Sequence, residues 1–189
     1  TAAWYDYYVR SACSPTVQSL WTGPKSFCIP ITNDSCATPI MVLTNPNQVC
    51  TNFATGALIG ATASPEPNAC SGGSSPDAWF QFSATSVTHT VTLNNVVGNI
   101  NTLNYAIYSG TNCTSLQQVN CQPTASGVVN ALTVGQTYYV RVFLDLNQVN
   151  TNVTFNLCIG SILPPIATTN TLYTNQQLVN DVLLNSTCA

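Results

Sequence analysis

The side chains able to do chemistry are few, and their spacing limits what they can do. His89 is the only histidine in the 189 residues. Val87, His89, Val91 and Leu93 fall on one side of a two-residue alternation, and Thr88, Thr90 and Thr92 on the other. That period places the imidazole on the apolar face of a half-buried strand. No carboxylate or thiol stands beside it in sequence, whereas a general base needs an orienting partner and reach to a substrate. His89 therefore reads as a packed residue. The six acids, Asp6, Asp34, Glu66, Asp77, Asp145 and Asp181, are scattered without a marked pair of the kind glycoside hydrolysis uses. A serine nucleophile would need a Gly-x-Ser-x-Gly elbow, which is absent. The reading is of a non-enzyme with no catalytic residue.

Sulfur is the other chemistry on offer. Nine cysteines point to an oxidising compartment. Metal binding is the alternative, but there is no Cys-x-x-Cys pair and one histidine, whereas zinc sites need tight clusters. Most cysteines sit beside turn residues, which favours disulfides. Spacing does not fix connectivity. The expected set has Cys13–Cys28, Cys50–Cys70 and Cys113–Cys121 as local loop clamps, with Cys36–Cys158 joining the first and last strands of the main domain. Cys188 is then left over, and its partner is expected elsewhere.

These residues are carried by a chain of very low charge: Arg10, Lys25 and Arg141 against the six acids. Three cations cannot build a phosphate-tracking surface, which excludes nucleic acid as a partner. The same scarcity excludes a polybasic membrane patch. No apolar run approaches the roughly 18 residues of a spanning helix. Polarity comes from Thr, Asn, Ser and Gln, suited to exposed strand faces and turns.

The elements expected to position the side chains are strands. Between Cys36 and Ile159 strand-like runs fall at 38–43, 78–83, 87–93, 103–108, 116–121, 127–132, 137–144 and 151–158, parted by turns such as Gly98-Asn99, Ser109-Gly110 and Val134-Gly135. Short strands at such spacing, with no helical period between them, predict an all-β antiparallel sandwich of jelly-roll type. Tyr-Tyr-Val-Arg occurs at Tyr7–Arg10 and again at Tyr138–Arg141. The second copy comes late in the strand set and the first has almost nothing before it. Residues 1–29 thus read as closing strands of an incomplete domain, 30–35 as a junction, 36–160 as the sandwich and 161–172 as a linker. Residues 173–189 read as the start of a further domain, with a short helix capped by Thr174. The chain is expected to be a piece of something longer.

Tyr5–Cys13 (YDYYVRSAC) and Leu20–Phe27 (LWTGPKSF) resemble the last two strands of bacterial fibronectin type III domains. Asn33-Asp34-Ser35, Asp77–Phe82 (DAWFQF), Leu103–Gly110 (LNYAIYSG), Gly135–Val142 (GQTYYVRV) and Val153–Ile159 (VTFNLCI) are similar, in order, to the bacterial pre-peptidase C-terminal (PPC) domain. Leu172–Ala189 resembles the start of a choice-of-anchor L domain. The cysteine-rich variant resembles modules of large surface proteins exported by the type IX route, some linked to gliding and adhesion. The PPC resemblance implies a calcium site, with Asn33, Asp34 and Asp77 on matching positions; Glu66, in the loop that the expected Cys50–Cys70 bond closes, is a candidate for a further oxygen. Ile31 and Thr32 occupy positions that are acidic in the family, which depletes the site. The alternative is that Asp34 and Asp77 cap turns.

Trp4, Trp21 and Trp79 with eight tyrosines invite a carbohydrate-platform reading, which needs exposed rings. Trp79 and Tyr138 lie in strand runs and read as core. Trp21 matches a position that packs in fibronectin-like domains, and Trp4 is the least constrained. Three functions follow. The first is a non-catalytic adhesive or structural module of a secreted, cell-surface protein, whose partners are a glycan or cell-surface ligand and other domains or copies of the parent. The second is an accessory carbohydrate- or protein-binding domain beside a secreted hydrolase or protease. The third is a strand-exchanging fibre subunit cross-linked through Cys188.

Overall fold

The computed structural model describes residues 2–66, 75–98, 103–144 and 152–164. Strands β1 (Ala3–Val9) and β2 (Thr22–Ile29) pair as a hairpin. The rest form two facing sheets. One holds β3 (Ile40–Met41), β6 (Asp77–Ser83), β11 (Thr137–Leu144), β8 (Leu103–Ser109) and β9 (Gln117–Gln122), in that spatial order. The other runs β10 (Ser126–Val129), β7 (Thr88–Val97), β12 (Thr154–Ile162), β4 (Thr44–Asn45), with β5 (Ala54–Ala57) also on β12. All pairings are antiparallel except the two short ones, β3 with β6 and β4 with β12. The sandwich is all-β, as the strand spacing predicts. The helix expected after Thr174 lies outside the described residues.

Alternation along the strands builds the core. Tyr138, Val140, Val142 and Leu144 of β11 point inward with Ala78, Phe80 and Phe82 of β6. They meet Val91 and Leu93 of β7 and Phe155, Leu157 and Ile159 of β12 across the gap. Phe80 packs edge-on to Phe155 at 5.9 Å between centroids. Burying a Phe or Leu side chain of this kind stabilises by roughly 1.5–3 kcal/mol. Ile31 joins this core and Asn33 is also buried, so part of the expected 30–35 junction packs with the sandwich.

The outer faces are covered too. On the β6–β11–β8 side, Trp79, Ala106, Tyr108 and Phe143 form a second apolar cluster with Cys36 and Leu116, which lie outside the strands. On the other side, the loop after β4 folds back over β12. Buried Asn45 organises it: its Oδ1 accepts from the amides of Thr51 (3.2 Å) and Asn52 (2.7 Å), and its Nδ2 donates to the Ile159 carbonyl (3.1 Å). Gly160 permits the approach, because a Cβ there would stand 2.8 Å from the Asn47 carbonyl oxygen.

This layering corrects the expected disulfides. Cys36 bonds Cys113 (Cα–Cα 5.7 Å) over the Trp79 cluster, and Cys50 bonds Cys158 (5.8 Å) over β12. Cys36–Cys158 is ruled out because the two lie on opposite outer faces. The sheets alone are about 10 Å apart, beyond the roughly 4.4–6.8 Å a disulfide spans. Cys50–Cys70 and Cys113–Cys121 fail because Cys50 and Cys113 are already bonded. Cys121 is disulfide-bonded as well, while Cys70 and Cys188 lie outside the described residues. The expected Cys13–Cys28 pair is absent, and both thiols are free. Cys28 sits opposite Trp4 at the foot of the hairpin, while Cys13 lies past Val9 at its tip. The six residue-to-residue rises from Thr22 to Cys28 span about 20 Å in a strand.

All eight expected strands of the sandwich are present, several shifted at their ends; β4 (Thr-Asn) and β5 (Ala-Thr-Gly-Ala) went unseen because they carry no large apolar side chain. The hairpin keeps Tyr5, Tyr7 and Phe27 on one face, but each is about half exposed. Trp21, expected to pack, is 60% exposed under the Arg10 guanidinium at 4.5 Å.

Replacing both Cys50 and Cys158 by alanine should lower unfolding stability by about 4 kcal/mol, since the bond closes a separation of 108 residues. Urea denaturation of the oxidised chain and the variant checks this; a loss under about 1 kcal/mol would contradict the stapling role.

Candidate functional site

Around the start of β6 the structure gathers the expected calcium residues, but as anchors for the segment 61–66. Asp77 opens the strand on its outer face and is fully buried. Its Oδ2 accepts from Arg141 Nη2 (2.6 Å), Arg141 Nε (3.0 Å) and the Ser64 amide (2.8 Å); its Oδ1 accepts from Ser64 Oγ (2.6 Å). Arg141 comes from the neighbouring strand β11 and is 1% exposed. Its remaining donors reach the carbonyls of Glu66 (Nη1, 2.8 Å) and Ser64 (Nη2, 3.2 Å). Trp79 Nε1 closes the network on Ser64 Oγ at 2.8 Å. The guanidinium also lies 5.7 Å from the Trp79 ring centre and 5.8 Å from that of Phe143.

Asp34 does similar work one step away. Its two oxygens accept from the Thr62 amide and hydroxyl, both at 2.7 Å. Asn33 Nδ2 donates to the Trp79 carbonyl at 2.9 Å, and the Asn33 carbonyl accepts from the Trp79 amide at 2.8 Å. The three residues do not fit a shared calcium. Both carboxylates are filled by protein donors, and a guanidinium stands where a divalent cation would be repelled, whereas calcium needs six to eight oxygens. Glu66 lies with Cys36 and Cys113 in the one close grouping of metal-type ligands among the described residues. Those sulfurs are joined to each other and carry no thiolate.

Electrostatics follow from burial. Desolvation pushes the Asp77 carboxyl up from its ordinary value, against the pull of Arg141 and the Ser64 hydrogen bonds. Four donor contacts on its two oxygens identify the ionised form. Burial likewise raises the Tyr108 hydroxyl above its usual range. His89 is buried against Phe82, edge-on at 5.5 Å. Its Nε2 accepts from the amides of Thr85 (3.2 Å) and Ser86 (3.1 Å), so Nδ1 carries the proton and donates to the Gly160 carbonyl at 3.1 Å. Burial lowers its pKa, and no acid flanks it. The ring is a neutral packing element, as its place in the strand pattern predicts.

Residues 32–157 match the family GBD_T9SS_assoc, described as galactose binding domain-like. The chain belongs to this family. No curated protein matches it. Such galactose-binding-like domains are characteristically binding modules, and the association with the type IX secretion system (T9SS) fits a secreted or cell-surface protein. That agrees with the bonded cysteines and with the type IX resemblance read from the sequence. Among the described residues no helix is long and apolar enough to cross a membrane.

The galactose-binding-like domain holds its interior polar cluster through two residues the sequence reading passed over, Ser64 and Arg141. Arg141 had a visible signal: a lone arginine inside the apolar run Tyr138–Leu144. Its partner Asp77 was visible too, but as a calcium ligand. Ser64 had none.

Asp77→Ala should destabilise the domain by about 3–5 kcal/mol, because it strands a buried guanidinium. Combining it with Arg141→Met should recover much of that loss, as read by chemical denaturation; a double variant weaker than either single would show that the charges matter in themselves. A second outcome concerns His89, unfolded near its ordinary pKa of about 6.5 and lower when folded. The unfolded chain then binds the extra proton, so stability is full above that pH and falls as pH drops below it. Melting curves from pH 8 to pH 5 should show this decline, and His89→Gln should remove it.

Proposed function

We propose that this chain is a non-catalytic, carbohydrate-binding module of a secreted, cell-surface protein carried by the type IX route, serving adhesion. The family match over residues 32–157 carries the reading. The chemistry of the candidate site supports it. The groups that a hydrolase would need are consumed in holding the structure: His89 is buried, neutral and triply hydrogen-bonded, and Asp77 is neutralised by Arg141. What the surface offers instead is mostly uncharged, rich in Thr, Asn, Ser and Gln. These groups hydrogen-bond sugar hydroxyls without the cost of stripping water from an ion. Disulfide-stapled loops keep such a surface fixed outside the cell, where preorganisation raises affinity.

Screening the oxidised chain against an array of immobilised neutral and acidic saccharides tests this. Retention on neutral glycans, with no sugar released, is the expected outcome. Absence of retention on every glycan would remove the carbohydrate reading, and liberation of reducing sugar would remove the non-catalytic one.

A further inference from the structure

We propose that the galactose-binding-like domain holds a neutral saccharide in the concavity floored by Tyr139, where β6 and β11 meet the turns at Gly110–Thr111 and Gln136. The inference rests on the carbohydrate reading above and adds a place and a ligand class. Gln81, Gly110, Thr111, Gln136, Thr137 and Tyr139 line a hollow of about 390 Å³. Strand register puts Tyr139 directly opposite Gln81, with Thr137 two residues back on the same outward face. Neighbouring strands lie about 4.8 Å apart and same-face residues about 7 Å, so the floor has the scale of one sugar ring.

The chemistry of the lining decides the ligand. Among the described residues, the side chains of Gln81, Thr111 and Thr137 and the Tyr139 hydroxyl have no hydrogen-bond partner within the protein. Gln136 uses only its Oε1, accepting from the Tyr138 hydroxyl at 3.4 Å, which leaves its amide donors free. An amide both donates and accepts, which suits the adjacent hydroxyls of a sugar. Tyr139 supplies the apolar contact. Its ring is half-buried because it packs on the Trp79–Tyr108 cluster, which fixes it in place. The negative face of the ring attracts the slightly positive C–H face of a pyranose. No ionisable acid or base lines the hollow, so nothing there would compensate an anionic or cationic ligand. A scaffold of sheet positions gives the precision that a binding site needs.

Two other concavities among the described residues lack this set. In the groove beside Phe53, Thr51 Oγ1 already donates to Asn45 (2.8 Å) and Thr55 Oγ1 to Asn156 (3.3 Å), leaving a single side-chain amide, that of Asn52, on a rim otherwise formed by Met41, Leu43 and Phe53. In the hollow at the foot of the hairpin, Asn33 is committed to the Trp79 carbonyl.

Titrating the ¹⁵N-labelled oxidised chain with methyl β-galactopyranoside, and in parallel with methyl β-glucopyranoside and glucuronate, tests the site. Saturating amide shifts at residue 81, 110–111 and 136–139 are expected for a neutral sugar. Gln81→Ala should weaken binding about tenfold, the loss of about one hydrogen bond, with an unchanged melting curve. Tyr139→Phe should stay within about threefold, since it keeps the ring. Shifts clustered at Thr51–Thr55 or elsewhere, or full affinity in Gln81→Ala, would overturn this site and leave the carbohydrate reading standing. A response to glucuronate alone would overturn the neutral class. Silence towards all three sugars, combined with an empty glycan array, would remove both.

Discussion

A positive and a negative charge face each other with almost no water between them at Asp77 and Arg141, and much of the surrounding structure follows from that pair. A buried carboxylate next to a guanidinium is tolerable only if the remaining lone pairs and protons are met. Here Ser64 supplies two donors to the acid, and the carbonyls of Ser64 and Glu66 accept from the base. The segment 61–66 is therefore bound to the sheet from above, with Asp34 gripping Thr62 beside it. Trp79 completes the arrangement by donating into the same serine. Ion pairs of this kind contribute little net stability compared with well-packed apolar groups, yet they strongly penalise any arrangement that separates the partners. Their effect is to fix one loop path over the outer face of the sheet.

The tetrapeptide Tyr-Tyr-Val-Arg shows how far neighbours decide a residue's role. In β11 it is flanked by β6 and β8, and Arg141 is driven into the interior with an acid to meet it. In β1 the same residues pair only with β2, and Arg10 lies over the exposed ring of Trp21. Chemistry on this chain is set by burial. Asp77, Arg141 and His89 are turned inward and satisfied, and recognition is left to amides, hydroxyls and aromatic rings.

The architecture was legible because strands with one buried face announce themselves by period, and the position of His89 in that period placed its ring correctly. Core roles for Trp79 and Tyr138 were legible for the same reason. The disulfides were not, since pairing depends on which loop folds over which outer face, a question that separation along the chain does not answer. Cys36 and Cys158 stand at the first and last strands of the expected domain, yet face away from each other. β4 and β5 were invisible because Thr44-Asn45 and Ala54–Ala57 carry no large apolar side chain to mark a strand. Asn33, Asp34 and Asp77 were read as calcium ligands from a family resemblance, and that a guanidinium satisfies Asp77 depended on Arg141, 64 residues away. The Tyr139 hollow draws on three separated segments and has no linear signature.

The bond between Cys50 and Cys158 has a mechanical side. A surface module pulled from its two ends can lengthen only by the chain that lies outside its cross-links. With 108 residues of separation closed by one bond, roughly 380 Å of contour, at about 3.5 Å per residue, is withheld from any extension. Tension is routed across the sulfur bridge beside β12, so the strands between never bear it in series, and the tether stays short under load.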